Sequence, residues 1–299
     1  MWPTGQFTMT TERASTRVTA MTTFDALVAE VVVETPDTVT AVLDLGTPVS
    51  YRAGQYVSID PHQFPALYSF TSYLERVKGR VEPPRAYSMS SAPDEPLVAI
   101  TIKEEKYDGQ MAYPPLISGF LVHQLRAGDR LEVIGFAGAY VLPDDINAEH
   151  ILHLCAGSGS VPNLSILKDA LRRHPWIRHT FAYSNKTWQD VIFRRDLAQL
   201  RAAYPDTVQV IHTLTRESAV SSGDEDVRSG RVTLEMLRGV LEREPNTVVY
   251  ACGPAVSVWE RRAHAAAGTT PTPRFLETMK SHLEALGMPR ERVKIEAFG

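Results

Sequence analysis

Cysteine is nearly absent: Cys155 and Cys252 are the only two in 299 residues. That count excludes a disulfide scaffold, and it excludes an iron–sulfur cluster or cysteine-rich zinc site held by this chain alone. It fits a cytosolic protein. No apolar run approaches the length needed to span a bilayer. The first twenty residues lack the apolar core of a signal peptide and read as a loose tail. Net charge is −4 at neutral pH, so nothing in the charge balance favours nucleic acid as the main partner. Histidine is sparse in ligand-like spacing: "HILH" is strand-spaced and the histidine of "RAHAAAG" stands alone, so no metal site is expected.

What is present divides in two. From residue 24 to 143 the pattern is β. In "TVTAVLDL", Val39, Ala41, Leu43 and Leu45 alternate onto one face. "ALVAEVVVE", "AGQYVSI", "LVAITIK" and "DRLEVIGF" are further strands, punctuated by Gly and Pro about every ten residues. Short strands at this spacing predict an antiparallel barrel or sandwich. From about residue 147, strand and helix alternate. "HILHLCAG" is followed by "VPNLSILKDALRRH", whose Leu164, Leu167 and Leu171 share a helix face. This rhythm predicts a parallel sheet covered on both faces. The division expected is a tail over 1–21, a β domain over 22–146 and an α/β domain over 147–299. The polar stretch 217–230 reads as a mobile loop.

Three stretches carry candidate chemistry. In "LCAGSGSVPNLSILK" a strand runs through Gly157-Ser158-Gly159 into a helix. Such a turn can seat a pyrophosphate, or it can be a tight turn with no ligand, and Pro162 stands where a third glycine would complete the usual fingerprint. In "YACGPAVSVWE", Cys252-Gly253-Pro254 ends a strand at the face where α/β sheets bind ligands. The cysteine is either a small buried hydrophobe or a group facing that ligand. In "PPRAYSMSSAP", extended chain presents Arg85, Ala86, Tyr87 and Ser88. A phosphate fork, a flat ring and a small donor together suit a planar heteroaromatic nucleotide, and an ordinary loop packed on the barrel is the other reading.

Taken in order, Arg85-Ala86-Tyr87-Ser88, Gly157-Ser158-Gly159-Ser160-Val161-Pro162, Cys252-Gly253-Pro254 and Glu296-Ala297-Phe298-Gly299 resemble the ferredoxin–NADP reductase family. The resemblance covers roughly residues 22–299. Within the family, "YSNKTWQDVIFRRDL" is similar to the reductases of bacterial multicomponent oxygenases. It implies a flavin-binding β-barrel, then an NAD(P)-binding α/β domain. It implies FAD rather than FMN as the cofactor, and NAD(P)H as the hydride donor. Arg85 would hold flavin phosphate, Tyr87 would lie along the ring, and Ser88 would reach its reactive edge. Ser118 would cap the helix that faces the pyrophosphate, although Pro115 replaces the family's glycine there. Gly157, Ser158, Gly159 and Pro162 would form the nicotinamide dinucleotide's pyrophosphate turn. Cys252, Gly253 and Pro254 would border the nicotinamide, with Glu296 and Phe298 flanking the flavin. Thr215 and Arg216 stand where the family reads the adenosine ribose; Arg216, with Arg231 as a second candidate, would either grip a 2′-phosphate or be a solvated surface charge. Ser88, Cys252 and Glu296 are the candidate catalytic residues.

No group of four cysteines accompanies these motifs, so electrons are expected to leave to a separate iron–sulfur carrier or oxygenase component. Two other functions fit the same motifs: a stand-alone flavin or quinone reductase, and a regulatory protein that binds flavin without turnover. The segment 60–84 is longer than the family's usual connection. Its Arg76, Lys78 and Arg80 suggest either a docking surface for an acidic carrier or a solvated insertion with no partner.

Overall fold

The computed structural model describes residues 22–107, 109, 113–218 and 226–298. The expected tail over 1–21, Gly299 and the centre of the polar stretch lie outside them. The first half contains β1 (Thr23–Thr35), β2 (Thr38–Asp44), β3 (Tyr56–Ile59), α1 (Tyr68–Lys78), β4 (Arg85–Ser88), β5 (Val98–Lys103), α2 (Ser118–Gln124) and β6 (Arg130–Ala137). The strands form one antiparallel sheet in the order β4-β3-β6-β1-β2-β5. Its two edges meet through the Met89–Ile100 bridge, and Ser90 N–H donates to the Ala99 carbonyl at 2.8 Å. The sheet thereby curls into the expected barrel, which leaves few strand edges unpaired. Alternation sends Val39, Ala41, Leu43, Ile100 and Ile102 into the barrel core.

The second half contains β7 (His150–Ala156), α3 (Ser160–Arg173), β8 (Arg178–Asn185), α4 (Arg194–Ala203), β9 (Val208–Leu214), β10 (Asp226–Ser229), α5 (Leu234–Arg243), β11 (Thr247–Pro254), α6 (Val258–Ala266), α7 (Phe275–Ala285) and β12 (Val293–Phe298). Every pairing is parallel, in the order β10-β9-β8-β7-β11-β12. The polar stretch read as loop contributes one surprise. Asp226–Ser229 is an edge strand, paired with β9 despite its charge, because an edge strand needs only one hydrogen-bonded neighbour.

The halves share a core in which Ala53 and Tyr140 meet Ile166, Tyr250 and Cys252. Helix α3 reaches across this seam: Ser165 Oγ donates to the Ser91 carbonyl at 2.6 Å, and Lys168 pairs with Glu95 at 3.3 Å. No described helix is long and apolar enough to cross a membrane.

Candidate functional site

A cavity of about 560 Å³ opens at this seam, within the size range of cofactor sites. The barrel lines it with all four residues of β4, Arg85 to Ser88, and with Ser118. Register explains the exposure of β4. Only β3 pairs along its length, with Ile59 opposite Arg85 and Tyr56 opposite Ser88, so its other side borders the opening. Tyr87 is half-buried against the barrel core, and that burial raises its hydroxyl pKa. Its ring therefore offers a face, not a charge.

Arg85 has a partner that sequence reasoning missed. Glu82, 2 % exposed, accepts from Arg85 Nη2 at 2.5 Å and from Lys78 Nζ at 2.7 Å. Arg85 Nη1 also donates to the Pro83 carbonyl. Although buried, the Glu82 carboxyl is held below its ordinary pKa by hydrogen bonds from Lys78 and Arg85. The segment between β3 and β4 thus supplies the carboxylate that orients Arg85. Ser118 departs from its expected role. It is the first residue of α2 rather than its cap, and its Oγ accepts the Glu105 N–H at 3.0 Å.

From the α/β half, Ser158, Pro254 and Phe298 line the cavity. The turn behind Ser158 is held tightly. Tyr183 hydroxyl donates to the Gly157 carbonyl at 3.0 Å, and Asn163 Nδ2 donates to the Gly159 carbonyl at 2.9 Å. Gly157 has φ +53°, a left-handed conformation that favours glycine. Gly159 is needed for a different reason: a Cβ there would sit 2.1 Å from the Cys252 carbonyl oxygen. Pro162 falls in the first turn of α3, where its missing N–H costs no helical bond.

Several expected residues lie off the cavity wall. Cys252 is fully buried and packs with Tyr140, Ile151 and Tyr250. Alternation along β11 puts it on the covered face with Tyr250, and burial raises its thiol pKa well above the ordinary value, with Glu296 adding to the rise. Gly253 is covered by Phe275. Thr215, Arg216 and Arg231 are exposed beyond the carboxyl ends of the neighbouring strands β9 and β10. Glu296 pairs in register with Cys252. Its Oε2 is buried without a hydrogen-bond partner, and burial lifts its pKa to about 7.

Further lining residues were missed, among them Thr101, Lys103 and Arg274. Strand alternation in "LVAITIK" could have placed Thr101 and Lys103 together on the face opposite Ile100 and Ile102. Nothing local marks Arg274, which arrives from the chain between α6 and α7 and pairs with Glu260 at 3.0 Å. Lys103 and Arg274, with Arg85, make three cations around one cavity. Glu104 and Glu105 are there too, so the lining is mixed in charge. Among the described residues no group of three or more His, Cys, Asp or Glu could hold a metal.

The donor set suits a flavin dinucleotide: cations for phosphates, a half-buried ring for stacking, hydroxyls for ring edges, and an orphaned carboxylate oxygen nearby. Residues 154–257 match the oxidoreductase NAD-binding domain family. The chain is 28% identical over 290 residues to a component of the 1,2-phenylacetyl-CoA epoxidase of Escherichia coli, covering 93% of this chain and 68% of that protein. It is 28% identical over 278 residues to the ferredoxin reductase component of 3-ketosteroid-9-alpha-monooxygenase of Rhodococcus rhodochrous, covering 91% of this chain and 64% of that protein. Across such curated relatives it spans about half to two thirds of their length. The flavohem-like FAD/NAD binding domain of a nitric oxide dioxygenase from Vibrio cholerae superposes with a TM-score of 0.68 at 23% identity, covering 92% of this chain and 98% of that one.

Proposed function

We propose, for a chain with the two-domain fold of the ferredoxin–NADP reductases and an oxidoreductase NAD-binding domain, that it takes hydride from NAD(P)H onto FAD and passes single electrons to a separate protein. The observation that carries this reading is convergence: β4, Pro254 and Phe298, far apart in the chain, border one cavity between the domains. The flavin, when bound there, supplies hydride acceptance and one-electron release. The protein's share is position and electrostatics. Arg85, braced by Glu82, presents a fork for phosphate. Tyr87 offers a neutral ring face, and Ser88 a hydroxyl. The Gly157–Gly159 turn opens α3, whose N-terminal amides favour an anion. Hydride transfer needs two rings in contact and little water between them, not a nucleophile.

The absorbance spectrum of the purified chain, taken under nitrogen before and after each nicotinamide cofactor, tests the reading. Flavin bands that bleach with NADH or NADPH are expected. A colourless protein that takes up no FAD would sink it. A yellow protein that neither cofactor bleaches would favour the non-catalytic alternative.

Exposed apolar residues on the β3–β4 segment support a protein acceptor. Tyr68 and Val81 are more than 70% exposed, and Tyr73 and Val77 lie between them. Exposed Arg76 and Arg80 are interspersed. Lys78, grouped with these arginines on sequence, is instead engaged by Glu82. Reversing charge at Arg76 and Arg80 is expected to raise KM for an acidic plant-type ferredoxin about tenfold at low salt. Ferricyanide reduction, which needs no docking, should keep its rate. An unchanged ferredoxin KM and salt dependence would rule this surface out.

A further inference from the structure

A second cavity, of about 580 Å³, lies on the same seam. It is walled by β1 and β2 of the barrel and by α3 and the residues leading into α4. The two cavities share a partition along the outer face of β5: Thr101 and Lys103 line the first, Ala99 the second. Opposite Thr101 in register stands Thr40 of β2. Their hydroxyl oxygens are 2.8 Å apart, and both residues are buried. Thr40 Oγ1 donates to Glu34 Oε1 at 2.8 Å. Thr40 and Glu34 both line the second cavity. An unbroken chain of hydrogen bonds therefore crosses from Thr101, at the first cavity, to a carboxylate at the second.

We propose that Thr101, Thr40 and Glu34 form a proton path between the cofactor cavity and the second cavity. This rests on the proposed function, which creates a need for one. NAD(P)H delivers two electrons and a proton as hydride, while a carrier that accepts single electrons takes no proton. Each turnover converts NAD(P)H and two oxidised carriers into NAD(P)+, two reduced carriers and one proton. That proton must leave the cofactor site, where hydride transfer calls for little water between the reacting rings.

The chain has the chemistry to carry it. A hydroxyl has one proton and two lone pairs, so it can accept on one side while donating on the other. The Thr101 hydroxyl has two settings, toward Thr40 or toward Ser90 Oγ at 3.0 Å, and alternation between them resets the path. Glu34 is held in place by its other oxygen. Oε2 accepts the Phe193 N–H at 3.2 Å, and Phe193 adopts φ +59°, uncommon for a bulky residue. Burial raises the Glu34 pKa, with Asp196 adding and Thr40, Phe193 and Lys168 opposing. Arg194, Arg195 and Glu95 are the other charged groups around it. Glu296, the other candidate proton holder, has no hydrogen-bond partner on Oε2.

Thr101→Val and Thr40→Val break the chain with little change in shape, and Thr101→Ser keeps it. In weakly buffered solution with a pH dye, proton release should track loss of nicotinamide absorbance in the native protein. In both valine variants it should lag, by about a hundredfold, and Thr101→Ser should restore it. Proton release at the native rate in both valine variants, or failure of the serine variant to restore it, overturns the path. In the cofactor-free protein, the Glu34 carboxyl followed by carbon-13 NMR should titrate at higher pH in Thr40→Val, because a bond favouring the ionised form is lost. No shift there removes the Thr40–Glu34 link. Absence of flavin bleaching by either nicotinamide cofactor would instead defeat the proposed function.

Discussion

Lowering the pH from 7 to 5 is expected to destabilise the α/β domain severely. Five of its histidines, His150, His153, His174, His179 and His212, are buried, and burial disfavours the charged form of each. Burial depresses His150 to about 4, His153 to about 3 and His212 to about 4, and puts His179 well below the ordinary 6.5. Two of these rings are fixed in place by hydrogen bonds, while burial is what disfavours their charged form. His150 Nε2 lies 2.9 Å from Thr180 Oγ1, and His153 Nδ1 lies 3.0 Å from Asn163 Oδ1. Below pH 6.5 the unfolded chain takes up protons that the folded chain refuses, so stability falls with pH. Each of His150, His153 and His212 contributes a loss of about 2 kcal/mol by pH 5, or about 6 kcal/mol for the three, and His179 and His174 act in the same direction. Glu296, with its pKa raised to about 7, works in the other direction. Its unfavourable ionisation is relieved on acidification, which returns about 2 kcal/mol. The difference is a large share of the stability of an ordinary domain. His62, in the barrel half, has its pKa raised by Asp60 and then Glu75, so its small, solvent-screened contribution favours acid. Trp176, Trp188 and Trp259 all lie in the α/β half. Urea unfolding followed by their fluorescence should therefore show a large fall in midpoint between pH 7 and 5. A constant midpoint would mean that these histidines are hydrated and charged in the folded protein.

Gly159→Ala is expected to be the most damaging single methyl in the nucleotide turn. The backbone conformation is no obstacle, since φ is −62°. The obstacle is space: the new Cβ would meet the Cys252 carbonyl oxygen at 2.1 Å and its carbon at 2.5 Å. Both belong to the backbone of β11, so the turn or that strand must move. A cost of about 3 kcal/mol or more follows, with affinity for the nicotinamide cofactor reduced about a hundredfold. Gly157→Ala is the contrast. Its Cβ meets nothing within 4 Å, but φ is +53°, so only conformational strain of about 1–2 kcal/mol applies. Thermal melts and NAD(P)H titrations of both variants should rank Gly159→Ala well below Gly157→Ala. The reverse order would show that the close approach of turn and strand is not what the glycine serves.

Patterns set by near neighbours were legible before the fold was known. Alternation in "TVTAVLDL", the glycine turn before α3 and the strand–helix rhythm follow from backbone sterics and burial of one face, which act over a few residues. They suffice for two domains, a barrel and a parallel sheet, and for the stretch Arg85–Ser88. Partners remote in sequence were decided by strand register and by how the domains meet. Thr40 reaches Thr101 across 61 positions, and Phe193 reaches Glu34 across 159. The same cause moved Cys252 from the cavity wall to the core, because Tyr140, arriving from the chain between β6 and β7, covers its face of β11. Composition and spacing announce which side chains can bind a phosphate, stack on a ring or hold a proton. Whether two of them come within hydrogen-bonding distance depends on packing between segments that local preferences do not connect.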